Sequence, residues 1–411
     1  MKKRLAMMLA CLMLACVLTG CGGGEKGGAV QATEAPKAEQ KIEIVDYVQN
    51  AMDAAERLSG SVYFVAEDGS VIVPSGYDNE YKKNEFLPIY AALPNVKRIV
   101  ASSSCSSVYA LTDEGDLYYY DVKVAEGVKD FVYATTNMSE NGHFLKEDGV
   151  YKIDAEDTEW VNENLRKNSP ENYQDIGDKT ISIFERNNAY YNYAGETDEK
   201  LNGNVVSLSV DKHDYMALTE DGRVFMDNNY GSSDEYESME FFQWENMAVI
   251  DAAKRMGTGE NRGKVETLTV AGIQADGTVM ACGDYAGEIL SWGPLSYISM
   301  GDGMIVGLTK DGTLRVTGQE AEKVAEFVGQ WSGIVGVKVG HETDVTIINA
   351  VDANGNFYYV ESCVRWTTDS ADFISPETGC SGENYFYKYC PDGTVYESDY
   401  ESGEWILFEK D

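Results

Sequence analysis

Val306-Gly307-Leu308-Thr309-Lys310-Asp311-Gly312-Thr313-Leu314-Arg315 alternates apolar and polar residues on both sides of an Asp-Gly pair. Such a pair between alternating runs is the strongest short-range signal for a β-hairpin, because Gly accepts positive φ and Asp tolerates it. The phrase recurs as Tyr109-Ala110-Leu111-Thr112-Asp113-Glu114-Gly115-Asp116-Leu117-Tyr118 and as Met216-Ala217-Leu218-Thr219-Glu220-Asp221-Gly222-Arg223-Val224-Phe225. Weaker copies turn at Asp68-Gly69, Asp148-Gly149, Asp276-Gly277, Asn354-Gly355 and Asp392-Gly393. Four residues before each Gly stands Val65, Leu111, Leu145, Leu218, Ile273, Leu308, Val351 or Tyr389, each suited to a core. One face of every hairpin is therefore expected to be buried.

The spacings between these glycines are 46, 34, 73, 55, 35, 43 and 38 residues. Periods near 40 mean an array of small units, each of which buries its apolar face only against its neighbours. The 73-residue gap has room for a ninth, degenerate unit over 181–191 with Asn187-Asn188 at its turn. A short apolar run precedes most hairpins, as at Val96–Ile99, Val205–Leu208, Leu295–Ile298 and Ile334–Val337. A leading strand, a hairpin and a less regular outer strand make a four-stranded blade. Such blades arranged radially make an all-β fold, a β-propeller of about eight blades within a range of seven to nine. Two stretches interrupt the pattern: Asp154–Tyr173 is expected to be an insertion on a rim, and Met239–Lys264 a longer loop holding a helical turn. Residues 43–58 fit either a helix or, at Ile44-Val45, a first inner strand.

The hairpin phrase resembles the regulator of chromosome condensation repeat, most closely over Met300–Gly318, and the resemblance extends from about Ser61 to Tyr396. It implies a propeller. The family's His before Ala-Leu is replaced by Met304, and the closing Gly persists mainly at Gly283 and Gly318. The nucleotide-exchange role of the founding eukaryotic member is not implied, since the chain lacks a basic face for chromatin. It carries 33 Lys+Arg against 69 Asp+Glu, a formal net charge of −36, and binding to nucleic acid needs clustered cations.

At the N-terminus, Met1-Lys2-Lys3-Arg4 precedes an apolar run from Leu5 to Leu18, too short to span a bilayer but suited to a secretory signal. Leu18-Thr19-Gly20-Cys21 resembles the lipobox of bacterial lipoproteins, which implies cleavage after Gly20 and lipidation of Cys21. Residues 1–20 are thus expected to be a lipoprotein signal peptide and 21–41 a flexible Gly/Ala/Pro-rich tether, with the propeller over 42–411. Two acyl chains suffice for stable anchoring. The expected location is the cell membrane of a bacterium, facing away from the cytoplasm.

Chemistry is sparse. His143, His213 and His341 are the only histidines, each expected to be a polar strand-end or loop residue, and no hydrolase, zinc-protease or phosphate-loop motif is present. No catalytic residue, resident metal or cofactor is expected. Cys105, Cys282, Cys363, Cys380 and Cys390 are odd in number, with Cys380 and Cys390 the candidate disulfide and Cys363 an alternative to Cys390. Asp352-Ala353-Asn354-Gly355-Asn356 places oxygens at alternate positions, as a calcium loop would, but its Gly is misplaced for a helix-loop-helix site. Carboxylates abound, mostly in turns. The 27 tyrosines cluster at Tyr118–Tyr120, Tyr190–Tyr193, Tyr358-Tyr359 and Tyr385–Tyr389, suited either to packing wedge-shaped blades or to stacking on sugars.

The expected function is a surface-anchored, non-enzymatic binding or scaffold protein whose propeller engages another surface protein. The alternative is a glycan-binding or glycan-active propeller using carboxylates and Tyr on one face. A two-lobed solute-binding protein is excluded by the scarcity of helical periodicity.

Overall fold

The computed structural model describes residues 55–58, 61–65, 71–72, 87–101, 108–136, 139–185, 190–191, 205–211, 214–227, 239–256, 265–301, 304–318, 321–339, 345–363, 384–390, 394–398 and 404–407. Residues 1–41 with Cys21, and also Cys105, Cys380, His213 and His341, lie outside the described residues.

Seven antiparallel sheets follow one another along the described chain. The first holds β1 (Ala55–Leu58), β2 (Ser61–Val65) and β3 (Val71–Ile72). Helix α1 (Leu87–Tyr90) leads to the second, β4 (Val96–Ala101), β5 (Val108–Thr112), β6 (Leu117–Tyr119) and β7 (Val122–Ala125). The third runs β8 (Asp130–Thr136), β9 (Ser139–Lys146), β10 (Gly149–Asp157), then β12 (Lys179–Glu185) and, outermost, β11 (Tyr173–Ile176). The fourth has β14 (Val205–Asp211), β15 (Asp214–Thr219) and β16 (Val224–Asp227), with β13 (Tyr190–Tyr191) on its outer edge. The fifth is β17 (Met247–Met256), β18 (Val265–Gln274) and β19 (Val279–Gly283), and the sixth β20 (Leu295–Gly301), β21 (Met304–Thr309) and β22 (Leu314–Gly318). The seventh holds β23 (Ile334–Val339), β24 (Val345–Asp352), β25 (Phe357–Cys363), β26 (Asn384–Tyr389), β27 (Val395–Ser398) and β28 (Trp405–Leu407) in that order.

Leading strands lie side by side from sheet to sheet: β1 against β4, β8 against β14, then β14, β17, β20 and β23 in succession. Arg98 of β4 bridges to Asp130 of β8 at 3.0 Å. Sheets stacked face to face around their leading strands form radial blades. The fold is a β-propeller.

The repeat is also visible in hydrogen bonding. In five sheets the leading strand carries a bulge at the same place, between Val96 and Arg98, Val205 and Ser207, Met247 and Val249, Leu295 and Tyr297, and Ile334 and Gly336. One extra residue there bends the strand and sharpens its twist, which a radial blade requires. The hairpin glycines have φ of 82° at Gly115, 75° at Gly222 and 78° at Gly312, the left-handed region that Gly alone enters without cost. Their carbonyls accept from the first residues of the next leading strand or, for Gly115, from just before it: Val128 N–H to Gly115, Met247 N–H to Gly222 and Ile334 N–H to Gly312, at 2.8–3.0 Å. Each hairpin turn is thus also a joint between blades.

The core lies between sheets. Leu308 and Leu314 pack with Ile348, Ala350 and Val360 of the next sheet, while Met216 and Leu218 pack with Ile250, Ala252 and Val270. In the fifth and sixth sheets, helices α3 (Ala286–Ser291) and α4 (Ala321–Val328) pack on β19 and β22, in the place of a fourth strand. Ile289 of α3 and Val324, Phe327 and Val328 of α4 are buried.

Several expectations change. The stretch expected to be a long loop with a helical turn contains the ten-residue strand β17, preceded by a short 3-10 turn at Glu240–Gln243. Ile250 and Ala252 enter one inter-sheet core and Val249 and Ala253 the other, so the strand is buried on both faces and shows no alternation. The degenerate unit over 181–191 is divided, β12 in the third sheet and β13 in the fourth. The strands on either side of Gly393 open no new sheet: β26 pairs with β25 and β27 with β26, extending the sheet built around Gly355. Of the ambiguous residues 43–58, the described ones, Ala55–Leu58, form a strand.

Candidate binding surfaces

The residues nearest the axis come from the leading strands. Asp251 of β17 accepts from Ser209 Oγ of β14 and Ala252 N–H through Oδ1, and from Met300 N–H of β20 through Oδ2 at 2.7 Å, tying three sheets together. Asp130 does the same for the second, third and fourth sheets: Oδ1 accepts from Arg98 and Phe131 N–H, and Oδ2 from Leu208 N–H at 3.3 Å. Ser299 Oγ accepts from Val339 N–H of the seventh sheet at 3.0 Å. Edge N–H groups that would otherwise be orphaned inside the fold are satisfied by the neighbouring blade's oxygen. Hydrogen bonds to a charged partner each contribute about 1.5–3 kcal/mol.

The hairpin-turn face is built by side-chain caps. Thr219 and Thr309 Oγ1 accept from the N–H four residues on, at 3.1 Å, and Thr112 makes the same bond at 3.0 Å. Asp221 and Asp311 in turn accept from these threonines, Asp221 also from Arg223 and Asp311 also from Thr313. Hydrogen bonding to the threonine hydroxyls, chiefly, holds both carboxyls below the usual aspartate range. Asp352 replaces the threonine in the seventh sheet. Its Oδ1 accepts from Asn354 and Asn356 N–H, and its Oδ2 from Asn356 Nδ2 and Tyr358 OH. The oxygens weighed as a calcium loop thus cap a turn. An open cavity of about 380 Å³ lies where the Gly115 turn meets the third sheet, lined by Lys97, Asp113, Glu114 and Lys129 among others. Its charges are mixed, and Lys129 pairs with Glu147.

Aromatic residues mostly serve the blades. Tyr119, Tyr358 and Tyr359 are buried, and Tyr118 and Tyr120 pack against core clusters. Near α4, the rings of Trp331, Tyr358, Phe327 and Trp405 meet at 4.9–6.1 Å, with Lys388 Nζ 5.6 Å from the centroids of both Tyr358 and Tyr396. His143, expected on a strand or at a strand end, is mid-strand in β9 and buried. Burial pushes the Cys282 thiol up to about 11. The Cys380–Cys390 pairing lies outside the described residues through Cys380.

One surface had no signal in the sequence beyond its polarity. The segment 158–178, between β10 and β12, holds a turn, helix α2 (Glu163–Asn168), a 3-10 turn at Pro170–Asn172 and β11. It carries Trp160, 80% exposed, and Leu165, 55% exposed. This is the insertion expected over Asp154–Tyr173, displaced because residues 154–157 complete β10 and the excursion runs on to Asp178.

No protein-family model and no curated protein matches the chain. Similar solved structures include the crystal structure of Kap60 bound to yeast RCC1 (Prp20), with 12% identity, 83% of this chain and 86% of that one covered, and a TM-score of 0.39. Prp20p from Saccharomyces cerevisiae is 13% identical over 68% and 74% of the two chains, with a TM-score of 0.38. The BP39L lectin from Burkholderia pseudomallei is 10% identical over 86% and 98%, with a TM-score of 0.35.

Proposed function

We propose that the protein is a non-enzymatic binding or scaffold module, held at the outward face of a bacterial membrane by a lipid on Cys21, with its propeller engaging another protein. The supporting observation is the employment of its best-placed carboxylates. Asp130 and Asp251, on leading strands, tie sheets together, and Asp352 is committed to a turn and to Tyr358. A catalytic acid pair needs at least one carboxyl free to meet substrate. Of the tyrosines open to the glycan reading, Tyr119, Tyr358 and Tyr359 are buried and Tyr118 and Tyr120 are half-buried against the core, which favours packing over stacking on sugars at these positions.

Two experiments test the proposal. Full-length protein purified in detergent is expected to leave a panel of chromogenic glycosides, peptidoglycan and peptide substrates unhydrolysed and to bind no glycan on an array. Turnover or saturable glycan binding overturns the non-enzymatic protein-binding reading. For the anchor, cells fed an alkynyl fatty acid are expected to label the wild type and not Cys21→Ser; equal labelling of the two refutes lipidation at Cys21.

A further inference from the structure

The segment joining β10 to β12 is held by its own hydrogen bonds and ion pairs. Thr158 donates N–H and Oγ1 to the Asp178 carbonyl at 2.9 and 3.0 Å, pinning the two ends of the segment together. Trp160 N–H donates to the Asp157 carbonyl at 2.8 Å, and Lys179 pairs with Asp157 at 2.7 Å. Asn162 caps α2 through Oδ1, accepting from Asn164 and Leu165 N–H, while Arg166 is paired with Asp175, which also accepts from Thr180. Val161 is buried and roots the turn.

On this fixed platform the indole of Trp160 and the side chain of Leu165 face solvent. Exposing a large aromatic group forgoes a few kcal/mol of burial, and a scaffold that holds it rigidly lowers the entropy cost of using it in an interface. Trp is the side chain most enriched at interface hot spots. The surroundings specify the partner's charge. Glu156, Glu159, Glu163, Glu171 and Asp178 are exposed and make no ion pair among the described residues; of the nearby cations Arg166 and Lys179 are engaged, which leaves Lys167 alone against five carboxylates. The apolar side chains are therefore set among an excess of negative charge.

Building on the protein-binding reading above, we propose that this segment is the recognition element. Its partner is a protein surface with an apolar cleft that takes Trp160, ringed by Lys and Arg that meet the surrounding carboxylates. An anionic lipid surface is disfavoured by the same charge, and an acidic partner even more so.

The test is selection of 12-residue peptides from a random display library on the full-length protein in detergent, followed by fluorescence-anisotropy titration of the synthetic peptides recovered. The expected peptides combine Lys or Arg with an aromatic or aliphatic residue. Their affinity is expected to fall at least tenfold in Trp160→Ala and several-fold in Glu159→Lys/Glu163→Lys, to recover in part in Trp160→Phe, and to stay unchanged in Leu290→Ala, a control on α3. Affinity should also fall steeply as salt rises. Peptides lacking basic residues, or basic peptides indifferent to Trp160→Ala, overturn this segment as the recognition element while leaving a protein-binding propeller intact. Recovery of no saturable peptide overturns the segment, and glycan binding in the array experiment removes the underlying reading separately.

Discussion

The sixth and third sheets start from the same Asp-Gly hairpin and use it differently. In the sixth, β22 returns for five residues, helix α4 covers the edge, and the Gly312 carbonyl receives Ile334 of the next sheet. In the third, β10 runs nine residues from Gly149, beyond the blade's ordinary edge, and feeds the hydrogen-bonded segment that carries Trp160. The regular hairpin is a joint on which the neighbouring blade depends. The elaborated one leaves its own outer end free to vary, so stability belongs to the joints and the proposed recognition to the excursion.

This contrast is most directly broken at the joints. A Cβ at Gly222 would lie 2.5 Å from Met247 N in the next sheet, at φ +75°. Gly222→Ala is expected to lower unfolding free energy by about 3–5 kcal/mol, from left-handed strain plus overpacking against backbone, read by urea denaturation. At Gly177 on the excursion, φ is +65° but nothing lies within 4 Å, and the same substitution should cost only about 1–2 kcal/mol. Equal losses at the two glycines would remove the distinction between joint and excursion.

Next comes the axis. Asp251→Ala removes the acceptor for Ser209 and Met300 N–H and should cost about 2–3 kcal/mol, with faster hydrogen exchange at Met300. Thr309→Val removes a single turn cap and should cost about 1 kcal/mol. Trp160→Ala should change stability by no more than about 0.5 kcal/mol, since its side chain buries little. A large loss there would make Trp160 a structural residue.

Acid sharpens the comparison further. The carboxyls of Asp221 and Asp311 are held below their usual range, so their contribution to the fold is fully present above the ordinary aspartate pKa and is lost as pH falls through the lowered folded values. Amide exchange at Gly222 and Gly312 is expected to accelerate in that acid window ahead of exchange at Gly177. Native protein treated with iodoacetamide at pH 8 should remain unlabelled at Cys282, whose thiol titrates near 11.

Turn chemistry is local, and that is why the hairpins were legible. Gly115, Gly222 and Gly312 announce themselves through their neighbours, and the leading strands at Val96, Val205, Leu295 and Ile334 followed from the period. Strand β17 was not legible because burial on two faces erases alternation and leaves Ala252-Ala253 looking helical. The bridging role of Asp251 depends on Ser209 and Met300, 42 and 49 residues away, and has no sequence signature. Trp160 reads in sequence like any core aromatic; its exposure is set by Thr158, Asp178 and Val161, which turn it outward.

Strands β12 and β13 are separated by four residues yet belong to different sheets. Repeat boundaries along the chain therefore do not coincide with blade boundaries in space. A gene duplication or deletion cut at the Asp-Gly period would leave one blade without its outer strand and another with a surplus one. Such a chain accommodates longer segments between strands, like that between β10 and β12, more readily than the gain or loss of a repeat.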